Sequence, residues 1–122
     1  KEDTLDELYA NALFLTHPSE NEGLPLTVLQ AMSFGTPVLV SDIPEHKEIV
    51  LNNKYWFGNA CISDLADKLI KTLQNKSELK LEGLKNKKFV EKNYNWKDIV
   101  EKTEHVYKCN EECKLDCSCV TA

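Results

Sequence analysis

Between residues 17 and 30 the chain reads His17-Pro18-Ser19-Glu20-Asn21-Glu22-Gly23-Leu24-Pro25-Leu26-Thr27-Val28-Leu29-Gln30, residue types suited to holding an anion. Pro25 has the fixed backbone angle favoured at a first helical position and gives up an N–H that the helix would not use. A helix N-terminus offers unpaired N–H groups and a partial positive charge, which makes it a ready anion site. Gly23 permits close backbone approach and Thr27 adds a hydroxyl, so a diphosphate fits this end. Glu22 is the candidate acid of the stretch. Taken alone it is better explained as a carboxylate steadying the helix dipole, worth about 0.3–1 kcal/mol. His17 either lines the same cleft or simply ends a strand, and Ser19 lies beside it. His46, farther along, either reaches the crevice or starts a surface helix, and His105 reads as a surface residue.

The elements that must position these residues follow from periodicity and caps. Thr4 is a candidate cap for a helix over residues 5–11, with Glu7 completing a capping box and Leu5, Leu8 and Tyr9 on one face. Residues 12–16 read as a short buried strand, 17–24 as a loop, and 25–34 as a helix ended by a left-handed Gly35. Residues 37–41 form a β-branched strand. Strand, loop, helix, strand is a βαβ unit, which predicts parallel strands and a ligand crevice beyond their carboxyl ends, at loops 17–24 and 42–46. Residues 45–50 read as a short helix, 55–57 as an extended segment, and 63–73 as a helix capped by Ser63 or Asp64. Two more helices, over 77–93 and 96–107, carry apolar residues at three- and four-residue spacing: Leu81, Leu84 and Val90, then Trp96, Ile99, Val100 and Val106.

Composition narrows the function classes. The chain has 122 residues, 42% hydrophobic and 29% charged, values of one packed globular domain. A net charge of −5 argues against a nucleic-acid groove. The one lysine-dense stretch, Lys85, Lys87, Lys88 and Lys92, is interspersed with Glu82 and Glu91 and reads as a solvated helix face. No apolar run approaches the roughly 18 residues that span a bilayer, and no charged leader precedes an apolar core, so the expected location is cytoplasmic. The chain opens on Lys1, and a piece of a longer polypeptide is expected.

Taken together, Pro18-Ser19, Glu22-Gly23-Leu24-Pro25 and Gln30-Ala31-Met32-Ser33-Phe34-Gly35-Thr36-Pro37-Val38 resemble the family 4 type of retaining glycosyltransferases. The resemblance continues into Ser41-Asp42-Ile43-Pro44-Glu45-His46-Lys47-Glu48-Ile49. It covers residues 4–107, dense from Pro18 to Ile49 and loose elsewhere. It implies a Rossmann-like α/β parallel sheet flanked by helices, the incomplete C-terminal, donor-binding half of a two-domain GT-B enzyme. Residues 1–108 would be that half and 109–122 a separate Cys-rich tail.

By the same resemblance the donor is a nucleotide-diphosphate-sugar, the acceptor a glycan or a lipid-linked acceptor, and the sugar is transferred with retention. Glu22 would approach the hydroxyls of the donor sugar, assisted by the amides around Gly23 and Leu24. Leu26 and Thr27 would face the diphosphate leaving group, where stabilisation is electrostatic. The family's second glutamate, which accepts the two ribose hydroxyls, is replaced here by Gln30. A glutamine offers one carbonyl acceptor and an amide donor in place of a carboxylate, so weaker nucleotide binding is expected. No cofactor and no metal are required by this chemistry, and no nucleic-acid partner is implied. The family's Arg and Lys that neutralise the diphosphate, its N-terminal acceptor domain and any peripheral membrane association made through that domain would all lie upstream. The isolated chain is expected to be inactive. The alternative is a non-catalytic glycosyltransferase-like binding or interaction module, motivated by Gln30, by the absent basic residues and by the tail.

Four of the five cysteines, Cys109, Cys113, Cys117 and Cys119, crowd the tail, beyond the reach of the resemblance. Zinc capture, oxidation and plain disorder all remain open for them, because their spacing is tighter than that of paired zinc knuckles. Cys61 stands apart and reads as a small buried hydrophobe.

Overall fold

The computed structural model describes residues 2–112. Three short strands, β1 (Leu15–His17), β2 (Val38–Ser41) and β3 (Trp56–Phe57), form one sheet in the order β1-β2-β3. Both pairings are parallel, with Leu15 opposite Val38, His17 opposite Val40, and Val40 opposite Trp56. Helix α1 (Glu2–Asn11) precedes β1, α2 (Leu26–Ser33) links β1 to β2, and α3 (Pro44–Ile49) with a 3₁₀ turn (Asn53–Tyr55) links β2 to β3. Helices α4 (Ile62–Gln74), α5 (Lys76–Asn93) and α6 (Trp96–Glu112) follow. Among the described residues the chain divides after Glu91 into two compact units. The first is the predicted Rossmann-like α/β arrangement.

The core of the first unit is the βαβ element. All four residues of β2 are buried, as a central parallel strand requires, and Val28, Leu29, Ala31 and Met32 of α2 are buried on the face of the helix that packs against β1 and β2. Gly35 ends α2 with a φ of +80°, the left-handed conformation that only glycine adopts without strain. The Tyr9 ring of α1 stacks on Phe34 at 6.1 Å, and the Thr36 hydroxyl donates to the Tyr9 carbonyl, fixing α1 beside this turn.

Several boundaries and faces differ from expectation, each for a local reason. Helix α1 already includes Glu2, so Thr4 lies inside the helix and caps nothing. Leu5 and Leu8 are exposed, and Tyr9 alone of that face packs inward. The Ala12 amide bonds back to Leu8, which keeps 12–14 with the helix end and delays β1 to Leu15. Helix α4 starts at Ile62 without a side-chain cap, because the Asp64 carboxylate is engaged elsewhere, accepting the Gly58 amide at 2.6 Å. Cys61 is exposed rather than buried. Helix α5 buries Leu79, Glu82, Gly83, Asn86 and Val90, whereas Leu81 and Leu84 face outward and Glu82 leaves the solvated face assigned to it. The cause is Gly83: a Cβ there would lie 2.0 Å from the Gly35 carbonyl oxygen, so the helix is seated through its glycine and the apolar spacing points elsewhere.

In the second unit Asn95 caps α6, accepting the Asp98 amide at 2.9 Å while its own amide donates to the Asp98 carboxylate. Trp96, Ile99, Val100 and Val106 are all exposed, so among the described residues the apolar face read from their spacing is not buried. Helix α6 extends through the first residues of the segment set apart as a tail, and Cys113, Cys117 and Cys119 lie outside the described residues. Of Cys109 only the helical backbone is described. Among the described residues, no helix is long and apolar enough to cross a membrane.

Candidate functional site

The carboxyl ends of β1 and β2 bring together the loops that sequence singled out. His17 ends β1, Ser41 ends β2, and both strands run in the same direction, so residues 18–25 and 42–43 leave the sheet side by side. Ser41 joins the two loops. Its hydroxyl donates to the Ser19 carbonyl at 2.6 Å and accepts the Ser19 amide at 3.0 Å. A buried side chain that satisfies both main-chain groups of one loop residue fixes that residue's distance from the sheet. Ser19 in turn donates through its hydroxyl to the Asn21 carbonyl at 3.2 Å.

A chain of polar side chains runs beneath these loops. His46 is completely buried, with Nδ1 2.9 Å from the Ser41 carbonyl and 3.2 Å from the Ser41 hydroxyl. A carbonyl can only accept, so Nδ1 carries the hydrogen and Nε2 presents its lone pair. Nε2 lies 3.1 Å from His17 Nδ1, which therefore donates. The rings meet edge to face, with centroids 5.2 Å apart. Burial lowers the pKa of His46 below the ordinary histidine value; the bond to Ser41 opposes that effect, while the neighbouring His17 adds to it. His17 Nε2 faces the Glu22 carboxylate at 3.7 Å, both side chains being about a quarter exposed or less, at 20% and 26%. His46 is thus an interior residue, not the surface helix-start residue that its position in the sequence also allowed.

The ligand-type atoms of His17, Glu22 and His46 lie within 4.8 Å of one another, a set of two imidazoles and a carboxylate that suits zinc. An ion there would have to displace the proton shared by His17 and His46. Sequence reasoning assigned no metal here. Its zinc candidates, Cys109, Cys113, Cys117 and Cys119, fall in the tail.

The predicted donor-binding residues line the start of α2. Pro25 is the residue that precedes the helix, and it is buried. Its carbonyl receives the Val28 and Leu29 amides at 3.0 and 3.1 Å. The Leu26 amide is taken by the Leu24 carbonyl at 2.8 Å in a tight turn. Among the described residues no partner accepts from the Gly23, Leu24 or Thr27 amides. Leu24 and Leu26 are 52% and 63% exposed, and no atom lies within 4 Å of where a Gly23 Cβ would stand. Gly23 is therefore not demanded by the chain's own packing. Thr27 and Gln30, three residues apart, share the exposed face of α2, opposite the buried Val28 and Met32.

Two residues of this region, Asn59 and Ala60, escaped the sequence reading, and Asp42, placed in a crevice loop, was given no partner by it. The Asp42 carboxylate accepts the Asn59 amide at 3.0 Å and lies 3.7 Å from Lys47 Nζ, tying the β2 loop to the β3–α4 loop. Ala60, in that third loop, has a φ of +55°, unusual for a residue with a Cβ. With Pro18, Ser19 and Glu20 on one wall and Phe57, Ala60 and Leu65 on the other, an open groove of about 440 Å³ extends the site across the sheet. The Asn59 position gave one faint signal, an Asn that follows Gly58 after an aromatic strand; Ala60 gave none.

A parallel sheet with a helix N-terminus and paired polar loops at its carboxyl ends is a Rossmann-like α/β arrangement. The chain belongs to the family of glycosyl transferases group 1, whose profile matches residues 1–86. The serotype-specific mannosyltransferase WbdA of Escherichia coli is 37% identical over 62 residues, 51% of this chain and 8% of that protein. The O-antigen chain mannosyltransferase RfbU of Salmonella typhimurium is 44% identical over 45 residues, 37% of this chain and 13% of that protein. The uncharacterized glycosyltransferase MJ1607 of Methanocaldococcus jannaschii is 32% identical over 108 residues, 87% of this chain and 28% of that protein. The chain thus spans less than a third of the length of each of these relatives.

Proposed function

We propose that this chain is the donor-binding part of a retaining glycosyltransferase of the family 4 type, acting in the cytoplasm on a nucleoside-diphosphate hexose and a glycan or lipid-linked acceptor. Mannose is the first hexose to test, because two of the relatives are named as mannosyltransferases. The observation that carries the reading is the α2 N-terminus, opening beyond the carboxyl ends of two parallel strands with amides unpaired at Gly23, Leu24 and Thr27. Those amides and the helix dipole would receive the diphosphate as negative charge grows on the leaving group. The Leu26 amide would join them only by leaving the Leu24 carbonyl. Glu22, on the rim of the same loop, would orient the sugar hydroxyls, and Gln30, on the exposed face of α2, would meet the ribose. The acceptor site and the basic groups expected at the diphosphate would come from an acceptor domain.

A second reading, a glycosyltransferase-like module that binds without turnover, is favoured by one observation: the residue expected to be a ribose-binding glutamate is the neutral Gln30. Transfer and hydrolysis of a panel of nucleoside-diphosphate hexoses by the whole gene product, with Glu22→Ala as control, separate the two. Turnover that falls by about a hundredfold or more in the variant supports the enzyme, in line with the loss of one oriented polar contact. Equal turnover by both proteins removes Glu22 from the site, and binding without turnover favours the module.

A further inference from the structure

The end of the sheet opposite the crevice holds a second pocket, of about 260 Å³, between the 3₁₀ turn that precedes β3 and the junction of α4 with α5. Two side chains that line it, Tyr55 and Thr72, are more than nine-tenths buried, at 5% and 8% exposure. Among the described residues neither hydroxyl has a hydrogen-bond partner. Neither is sealed in, because the buried side-chain polar atom that lacks a partner among the described residues is a different one, Asn86 Nδ2. Each hydroxyl is thus open to the pocket that its residue lines. Burial pushes the Tyr55 pKa up to about 12, with the carboxylates of Glu82 and Glu78 adding to the effect, so this hydroxyl keeps its hydrogen and can donate at any physiological pH.

The charge around the pocket is positive. Its lining includes Lys54, Lys68 and Lys71 against one carboxylate, Glu78, and three lysines less one glutamate leave a charge of +2 in a chain whose net charge is −5. Glu78 is already engaged: one oxygen takes Lys54 Nζ at 2.6 Å and the other takes Asn75 Nδ2 at 2.8 Å. Lys68 gives one hydrogen to the Lys54 carbonyl at 3.3 Å, and Lys71 meets no acceptor among the described residues. An ammonium carries three hydrogens, so both lysines have donors to spare. A ligand here must bring acceptors and negative charge. It must also be small, since sites for drug-sized molecules span roughly 300–1,000 Å³.

We propose that this pocket binds a small oxyanion of the phosphate type, with the Tyr55 and Thr72 hydroxyls donating to its oxygens and Lys68 and Lys71 neutralising its charge. The free ion and the phosphate of a small ester offer the same chemistry. The site lies apart from the α2 N-terminus and does not depend on the reading of that region as a donor site.

Titration calorimetry of the whole gene product with inorganic phosphate and with a hexose 6-phosphate, at an ionic strength matched with chloride, tests the proposal. Saturable binding is expected, weakened about tenfold or more in Tyr55→Phe and Thr72→Val and about threefold or more in Lys71→Gln. Glu22→Ala should bind as the wild type does. An ester preferred by about tenfold or more makes the ester the occupant, and otherwise the occupant is the free ion. No saturable binding of either probe below about 10 mM overturns the proposal. Binding that Thr72→Val or Lys71→Gln leaves unchanged overturns it too, because the anion then sits elsewhere; Lys71 is exposed, so its variant does not put the fold at risk. Thermal unfolding supplies a second readout. A hydroxyl with no protein partner is not needed for folding, so Tyr55→Phe should melt at or above the wild-type midpoint without phosphate and lose the rise that phosphate gives the wild type. A rise of equal size in Tyr55→Phe overturns the proposal.

Discussion

Gly83→Ala tests the packing on which the site rests. On an exposed helix face this change stabilises, because alanine is favoured over glycine by about 0.8–1 kcal/mol. Here the added Cβ would lie 2.0 Å from the Gly35 carbonyl oxygen, 3.0 Å from its carbon and 3.3 Å from Pro37 Cδ. Real Cβ atoms essentially never come within 3.0 Å of such a neighbour, so α5 and the Gly35 turn must separate by about 1 Å (3.0 − 2.0) before the contact is tolerable. The nearest atoms are backbone, which cannot rotate away, and this puts the overpacking cost at or beyond the upper end of its usual range of about 1–3 kcal/mol. Net of the propensity gain, a loss of about 2 kcal/mol follows, or a fall of roughly 8–16 °C in the unfolding midpoint of a domain of this size. Thermal unfolding followed by circular dichroism reads it directly, with Lys80→Ala on the exposed side of α5 as a control expected to stay within about 0.5 kcal/mol. An unchanged or raised midpoint for Gly83→Ala would refute the account of how α5 is seated, and with it the explanation of why Leu81 and Leu84 face outward.

Gln30→Glu in the whole gene product should tighten nucleoside-diphosphate binding about ten- to thirtyfold by calorimetry, as a neutral acceptor gives way to a charged one; unchanged affinity would take Gln30 away from the ribose. Acidification should destabilise the fold through His46. Its folded pKa is lowered by burial, so between that value and the ordinary histidine value the unfolded chain binds more protons. The contribution is therefore present above the unfolded value and lost as pH falls toward the folded one, by no more than about 1.4 kcal/mol per pH unit for one proton. Urea unfolding at pH 7.5 and about 5.5 should show the loss, and His46→Gln should reduce the difference. Ala60→Gly should raise stability by about 0.5–1 kcal/mol in the same assay, because its φ of +55° is strained for alanine and open to glycine.

The parts legible in the sequence were those governed by local rules. Pro25 and Gly35 bracket α2 through their own backbone restrictions, and the run from Pro37 to Ser41 has the unbroken apolar character of a central parallel strand, so the βαβ unit and its crevice could be inferred. What escaped depends on contacts distant in the chain. The burial of His46 is decided by His17 and Ser41, residues 29 and 5 positions away, and nothing in the spacing of a short helix distinguishes it from a surface histidine. The buried face of α5 is set by a glycine meeting a glycine 48 positions earlier (83 − 35), which apolar periodicity cannot register because neither residue has a side chain. Asp64 looked like a helix cap and serves the Gly58 amide instead, a choice made by the geometry of the β3–α4 loop.

The two hydrogen bonds between the Ser41 hydroxyl and the main-chain groups of Ser19 make the first two cleft loops a single mechanical part. A transplanted 18–24 segment of the same length keeps both bonds whatever its side chains, provided residue 19 is not proline, whereas a longer or shorter one would draw residue 19 away and leave the buried Ser41 hydroxyl unmatched. Loop swaps that preserve length and keep a serine at the end of the second strand are therefore the ones to build first.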